Sequence, residues 1–200
     1  MTEIVSKNQI NHVIDILMSD GVVAFPTETV FGVGVRFGSH KAIDALMEAK
    51  KRDYSKAITL MVPYQEDIQK YAVVDEISQK IIDHFMPGML TLVLKKKESV
   101  DSYMTNGKET IGIRIPDDEY VLSLLKKVGP MLVTSANLSN HPNTTTTQEV
   151  LEQLNHRIDV VVDGKTQQRV ASTVVEVIDH QINILREGQI SSENLKEIIK

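Results

Sequence analysis

Lys50, Lys51, Arg52 and Lys56 place four cations within seven residues of a chain whose net charge is −5. Lysine supplies a point charge and arginine a planar fork that matches two oxygens, so the cluster suits a polyphosphate or a carboxylate. It also falls where a helix is expected to end, and cations there complement the helix dipole. That second reading explains one or two of the cations better than four. Arg114 stands apart, in the alternating run Ile111-Gly112-Ile113-Arg114-Ile115. With the isoleucines facing a core, Gly112 and Arg114 share the opposite face, where an arginine either pairs with an acid or lines a cleft. The run Lys95-Lys96-Lys97, beside Glu98, reads as a solvated strand end.

Hydroxyls and amides follow the apolar runs. After Val22–Phe25 come Pro26, Thr27, Glu28 and Thr29, then Gly32 and Gly34; after Met131–Val133 come Thr134, Ser135, Ala136 and Asn137; after Ile182–Leu185 comes Arg186. In open α/β sheets ligands bind beyond the carboxyl ends of strands, so three strands bring hydroxyls, an amide and a guanidinium to places where a ligand could sit. Each segment alone reads first as an ordinary turn, which uses these residues routinely.

Several chemistries are excluded. The chain has no cysteine, which removes disulfides, thiolate metal sites and a cysteine nucleophile. It has no GxxxxGK[ST] loop and no GxSxG elbow, and Gly32-Val33-Gly34 lacks the third glycine of a dinucleotide fingerprint. The six histidines show no metal-ligand spacing, so no metal site is expected. Nothing resembles a nucleophile beside its base. An enzyme built from these residues works by holding substrates together and stabilising phosphate charge.

The elements that must position these groups alternate along the chain. Ser6, Ser39 and Asp75 can cap helices with apolar stripes at Ile10–Leu17, Ile43–Met47 and Ile77–Phe85. Asp117–Lys127, Gln148–Leu154 and the segment after Ser191 read as further helices. Val22–Phe25, Ile58–Val62, Leu90–Leu94, Ile111–Ile115, Met131–Val133, Val160–Val162, Thr173–Val177 and Ile182–Leu185 read as strands. The alternation predicts an α/β domain over residues 1–200 with a large mixed sheet covered by helices. Hydrophobic residues at 42% and charged residues at 24% are ordinary for one globular domain. No apolar run approaches the ~18 residues of a membrane span, and no basic leader precedes one, so a cytoplasmic protein is expected. The acidic charge and 4% aromatic content argue against bulk coating of nucleic acid.

Taken in order, Pro26–Gly34 (PTETVFGVG), Lys50–Arg52 (KKR), Pro87–Leu94 (PGMLTLVL), Thr110–Pro116 (TIGIRIP), Thr134–Ser139 (TSANLS), Ser172–Val177 (STVVEV) and Leu185–Ser191 (LREGQIS) resemble the YrdC/TsaC family of threonylcarbamoyl-AMP synthases. The K-x-R element together with the S-x-N element carries most of the specificity. The resemblance implies a YrdC-like twisted sheet with a large concave cavity, in the short single-domain form. It implies condensation of L-threonine, bicarbonate and ATP into threonylcarbamoyl-AMP and pyrophosphate. That product feeds t6A37 modification of tRNAs reading ANN codons through a separate transferase complex. By position it places Lys50, Arg52, Lys56, Thr110, Asn137 and Arg186 on the nucleotide, with Lys50 and Arg52 catalytic. It places Thr29, Arg114 and Ser172 on threonine and its carbamoyl group, with Ser135 between the two sets. Thr27 and Thr145 are weaker candidates. Mg2+ is expected with ATP, and Glu28 is close enough in sequence to be considered for it.

The chain departs from the family pattern at Phe31, usually tyrosine, at Asp53 and Ala57, where prolines are common, at Met61, where longer relatives can carry histidine, and at Asn140, usually glycine. These changes bear on affinity and amino-acid choice. Two other readings use the same segments: an RNA-binding or ribosome-associated factor working through the concave face, and carbamoyl transfer of the kind done by YrdC-like domains in hydrogenase maturation.

Overall fold

The computed structural model describes residues 1–166 and 169–199. In chain order the elements are β1 (Glu3–Val5), α1 (Ile10–Met18), β2 (Val23–Phe25), β3 (Gly32–Arg36), α2 (His40–Lys50), β4 (Thr59–Met61), α3 (Gln65–Tyr71), α4 (Glu76–Phe85), β5 (Leu90–Lys95), β6 (Thr110–Arg114), α5 (Glu119–Val128), β7 (Met131–Ser135), α6 (Thr147–Leu154), β8 (Val160–Val162), β9 (Thr173–Ile178), β10 (Gln181–Arg186) and α7 (Ser192–Ile199). Short 3-10 turns cover Lys7–Gln9 and Ser102–Thr105.

The expected caps form. Ser39 Oγ accepts from Ala42 N at 3.2 Å and Asp75 Oδ1 from Ser78 N at 2.8 Å. Asp118 caps α5, accepting from Val121 N at 3.0 Å, so this helix starts two residues later than the expected Asp117. Ser6 heads the 3-10 turn that leads into α1, in a reciprocal box with Gln9. Among the described residues no helix is long and apolar enough to cross a membrane.

All ten strands join one mixed sheet in the order β1-β8-β2-β3-β7-β4-β6-β5-β9-β10. The pairs β1–β8, β8–β2, β4–β6 and β5–β9 are parallel and the rest antiparallel. Two strands were not expected. β1 is three residues long and pairs only at the sheet edge. β3 contains Gly32 and Gly34, which the sequence reading leaves in a loop after β2. Glycine weakens strand propensity, but here close packing requires it: a Cβ on Gly34 would lie 2.8 Å from Val133 Cγ2 and 3.0 Å from the Leu132 carbonyl.

Side chains alternate across the sheet, and the two faces differ. On one face Ala24, Val33, Leu60, Leu92, Ile113, Leu132, Val161 and Val175 pack with Ile43, Leu46 and Met47 of α2, Ile81 and Ile82 of α4 and Leu154 of α6. On the other, Val23, Phe25, Met61, Met131, Val133, Val160 and Val162 pack with Val13 and Leu17 of α1 and Val121, Leu124 and Leu125 of α5. Among the described residues this second core takes no side chain from β5, β6 or β9. That half of the face is left without a helix, and it is there that the cavity lies.

Candidate active site

The alternation that buries Ile111, Ile113 and Ile115 turns Gly112 and Arg114 to the uncovered face. Register then aligns the neighbours: Thr59 and Val93 pair with Gly112, Met61 pairs with Arg114, and Thr91 pairs with Val174. With Gly32, Val133 and Ser135 these residues floor a cavity of about 250 Å³. Thr27, Thr29 and Phe31 line it from the β2–β3 connection, Arg52, Ala57 and Ile58 from the segment after α2, Ala171 and Ser172 from the segment just before β9, and Arg186 from the end of β10. The lining includes three arginines and no carboxylate.

Arg114 is buried and held from three directions. Its Nε donates to the Gly88 carbonyl at 3.1 Å, and one terminal nitrogen donates to Glu28 Oε1 at 2.7 Å and to Thr29 Oγ1 at 3.2 Å. The structural and cleft-lining roles that the sequence left open are therefore both filled. Glu28 Oε1 also accepts from Asp117 N at 2.9 Å, so this carboxylate braces Arg114. Thr27 Oγ1 donates to the Val30 carbonyl at 2.7 Å and lies 3.0 Å from Thr29 Oγ1, which fixes the turn that presents Thr29.

Arg186 donates through Nε and a terminal nitrogen to the Ser172 carbonyl at 3.1 and 2.8 Å. Ser172 Oγ lies 2.9 Å from Thr91 Oγ1, tying the start of β9 to β5 across the floor. Desolvation and, secondarily, Arg114 lower the Arg186 pKa from its ordinary value. Arg52 donates to the Ala57 carbonyl at 2.7 Å, and its Nε is buried without a partner. Burial lowers its pKa too. The loop folds back over the sheet and turns the guanidinium toward the cavity, with Arg52 N bonded to the Met47 carbonyl at 2.9 Å past the left-handed Lys51.

Other expected residues stand behind the lining. Lys50 is fully buried at the end of α2, and its Nζ donates to the carbonyls of Ser135 and Asn137. Burial, with Arg52 and Lys56 nearby, lowers its pKa to about 7. Asn137 donates to the carbonyls of Leu138 and His141 at 2.8 and 2.7 Å and so knits its own turn. Thr110 shares the face of Gly112 one repeat further along β6, outside the lining. Lys56 reaches Ser139 Oγ at 3.1 Å and Asn140 Oδ1 at 2.6 Å. Thr145 bonds Glu149 at the start of α6. The sequence reading missed Thr59, Thr91, Val93, Val174 and Ala171. Each lies within an apolar run or turn, and only strand pairing distinguishes it from a core position.

Arginines from β6, from β10 and from the loop after α2 thus meet over one sheet face, at segments that a family model also recognises. The Sua5/YciO/YrdC model, described as "Telomere recombination", matches residues 15–188. The chain belongs to the Sua5/YciO/YrdC family. A Methanocaldococcus jannaschii protein named "Putative threonylcarbamoyl-AMP synthase" is 33% identical over 180 residues, covering 90% of this chain and 85% of that one. A Bacillus subtilis protein named "Threonylcarbamoyl-AMP synthase" is 35% identical over 207 residues, and the match spans 100% of this chain but 59% of the relative. The structure of P. abyssi Sua5 complexed with L-threonine superposes with a TM-score of 0.93 at 30% identity, covering 100% of this chain and 61% of that one. Within the family, the fold described above is the YrdC-like fold that the resemblance implied.

Proposed function

We propose that this protein is a threonylcarbamoyl-AMP synthase, condensing L-threonine, bicarbonate and ATP to threonylcarbamoyl-AMP and pyrophosphate. The observation that carries this reading is the convergence of Arg52, Arg114 and Arg186 on one hydroxyl-rich cavity whose lining has no carboxylate. Such a cavity favours a ligand with several negative charges. The names of the relatives and the threonine complex of the P. abyssi protein support the choice of substrates.

The chemistry follows from the charges. The threonine amine attacks the bicarbonate carbon, water leaves, and a carbamate forms. A carbamate oxygen then attacks the α-phosphorus of ATP, and pyrophosphate departs with the bonding pair. Two anions must approach one another in the second step, so fixed cations lower its barrier. Arg114, with Thr29 and Ser172, takes the threonine carboxylate. Arg52 and Arg186 face the phosphates, with Ser135 between the two groups. Lys50 and Asn137 act through the wall that Lys50 holds together, while Lys56 and Thr110 sit at its margin. Alignment of both substrates on rigid strands supplies the orientation that the reaction needs.

Mg2+ enters this proposal with the ATP substrate. Among the described residues no three His, Asp or Glu side chains converge. Glu28 has one oxygen on Arg114 and Asp117 and the other buried without a protein partner. The product would then serve t6A37 formation on ANN-reading tRNAs, through a separate transferase complex in the cytoplasm.

The test is pyrophosphate release with each substrate omitted in turn, with the adenylate identified by mass spectrometry. Release that requires threonine, bicarbonate and ATP together is expected. Release indifferent to threonine or bicarbonate overturns the reading.

A further inference from the structure

The segment between α2 and β4 carries Arg52 to the cavity, yet none of residues 51–57 is buried. Apolar packing therefore does not hold it. Its internal bonds make a compact turn: Ser55 N donates to Asp53 Oδ1 at 2.7 Å, Lys56 N to the Asp53 carbonyl at 3.0 Å, and Arg52 to the Ala57 carbonyl. What ties that turn to the body lies partly on the side away from the cavity. Tyr54 Oη donates to Asp44 Oδ1 on α2 at 2.7 Å, and Tyr103 Oη donates to the same oxygen. Asn106 Nδ2 donates to the Lys56 carbonyl at 3.0 Å.

Tyr103 and Asn106 belong to one post, the 3-10 turn Ser102–Thr105 and its left-handed end. That post is itself braced. The Tyr103 ring stacks on His40 with centroids 4.1 Å apart, His40 Nε2 lies 2.6 Å from Asp101 Oδ2, and Gly107 N closes on the Ser102 carbonyl at 2.8 Å. Of these residues none lines the cavity. An exposed loop of this length loses much of its order when its few tethers go, because each residue released recovers backbone entropy.

We propose that Asp44, Tyr54 and Asn106 are positioning residues that hold the Arg52-bearing loop in place for the nucleotide. This inference rests on the synthase reading and adds a determinant of ATP affinity that touches no substrate. The two tyrosine hydroxyls hold the Asp44 carboxyl below its usual pKa, consistent with a charge-assisted junction.

The experiment compares the wild type with Tyr54→Phe and with the double variant Tyr54→Phe/Asn106→Gly. Glycine suits the left-handed backbone at position 106, and phenylalanine keeps the ring at 54. Amide exchange at residues 52–57, binding of a non-hydrolysable ATP analogue, and steady-state kinetics are measured on each. Exchange should quicken in the double variant, and KM for ATP should rise roughly tenfold, as two lost hydrogen bonds imply. KM for threonine should stay within twofold, and Tyr54→Phe alone should lie between the two. Faster exchange with unchanged ATP-analogue affinity, unchanged exchange, or equal rises in both KM values each overturn the inference while leaving the synthase reading intact. A wild type that binds no ATP analogue overturns that reading and this inference together.

Discussion

Arg114 and Glu28 form an ion pair 2.7 Å long in the cavity wall, with side chains only 6% and 13% exposed. The pair joins β6 to the β2–β3 connection, 86 residues apart in the chain. Glu28 thereby orients the guanidinium from behind the lining, and Arg114 itself lines the cavity beside Thr29.

A pair this enclosed costs most when half of it is removed, since the survivor is a buried charge without a partner. Arg114→Met is predicted to destabilise the fold by about 3–5 kcal/mol. The double variant Arg114→Met/Glu28→Gln should recover a good part of that loss without recovering threonine binding. Denaturant unfolding of the four proteins measures it. Additive effects of the two substitutions would show that the pair carries no coupling.

Lys50 makes stability depend on pH. Its pKa is lowered by burial from 10.5 to about 7, so between those values the unfolded chain binds more protons than the folded one. Stability from this group therefore rises with pH across that window, by at most about 1.4 kcal/mol per unit. Below the folded pKa the ammonium is charged in both states and the burial cost is present in full. Unfolding at pH 7, 8 and 9 should show the rise in the wild type and a flatter dependence in Lys50→Met. Parallel slopes would remove Lys50 as the source.

Arg52→Ala is predicted to lower pyrophosphate release by about 10²-fold, the usual cost of removing one donor from a transition-state charge. The melting temperature should hardly change. The guanidinium makes one bond, to the Ala57 carbonyl, and its Nε is buried unsatisfied, so its loss removes little that stabilises the fold. A fall of ten degrees or more with activity retained per folded molecule would make the residue structural.

Gly112 lies in the cavity floor. A Cβ there would meet Thr91 Cγ2 at 3.3 Å and Val93 Cγ2 at 3.7 Å, which the strand can absorb with a small shift of Thr91. Gly112→Ala should fold and melt near the wild type, while Gly112→Val should also fill the floor and weaken substrate binding at least tenfold (about 1.4 kcal/mol). Calorimetry with threonine and with an ATP analogue checks this. Wild-type affinity for both ligands in Gly112→Val would place the substrates elsewhere.

Much of the fold was legible along the chain. Ser39 and Asp75 announced their helices because caps are local, and the Ile111–Ile115 alternation announced which residues of β6 share a face. The K-x-R and S-x-N segments marked a site by their order. β3 was not legible, because Gly32 and Gly34 read as loop residues until Val133 and Leu132 are known to press against them. α3 was missed as well, its seven residues carrying a single buried side chain, Ile68.

Sequence by itself determined the inventory: arginines at 52, 114 and 186, the hydroxyls after strands, no thiol, and an α/β alternation that puts polar residues at strand ends. Those properties depend on residue type and near neighbours. Tertiary structure alone decided that Arg52 points inward, that Lys50 braces two carbonyls behind the wall, and that Thr59, Thr91 and Val174 share a floor with Gly112. Each of these depends on which strand lies beside which, over separations that local propensity does not encode. The uncovered half of the sheet face exists because α1 and α5 pack only over the other half.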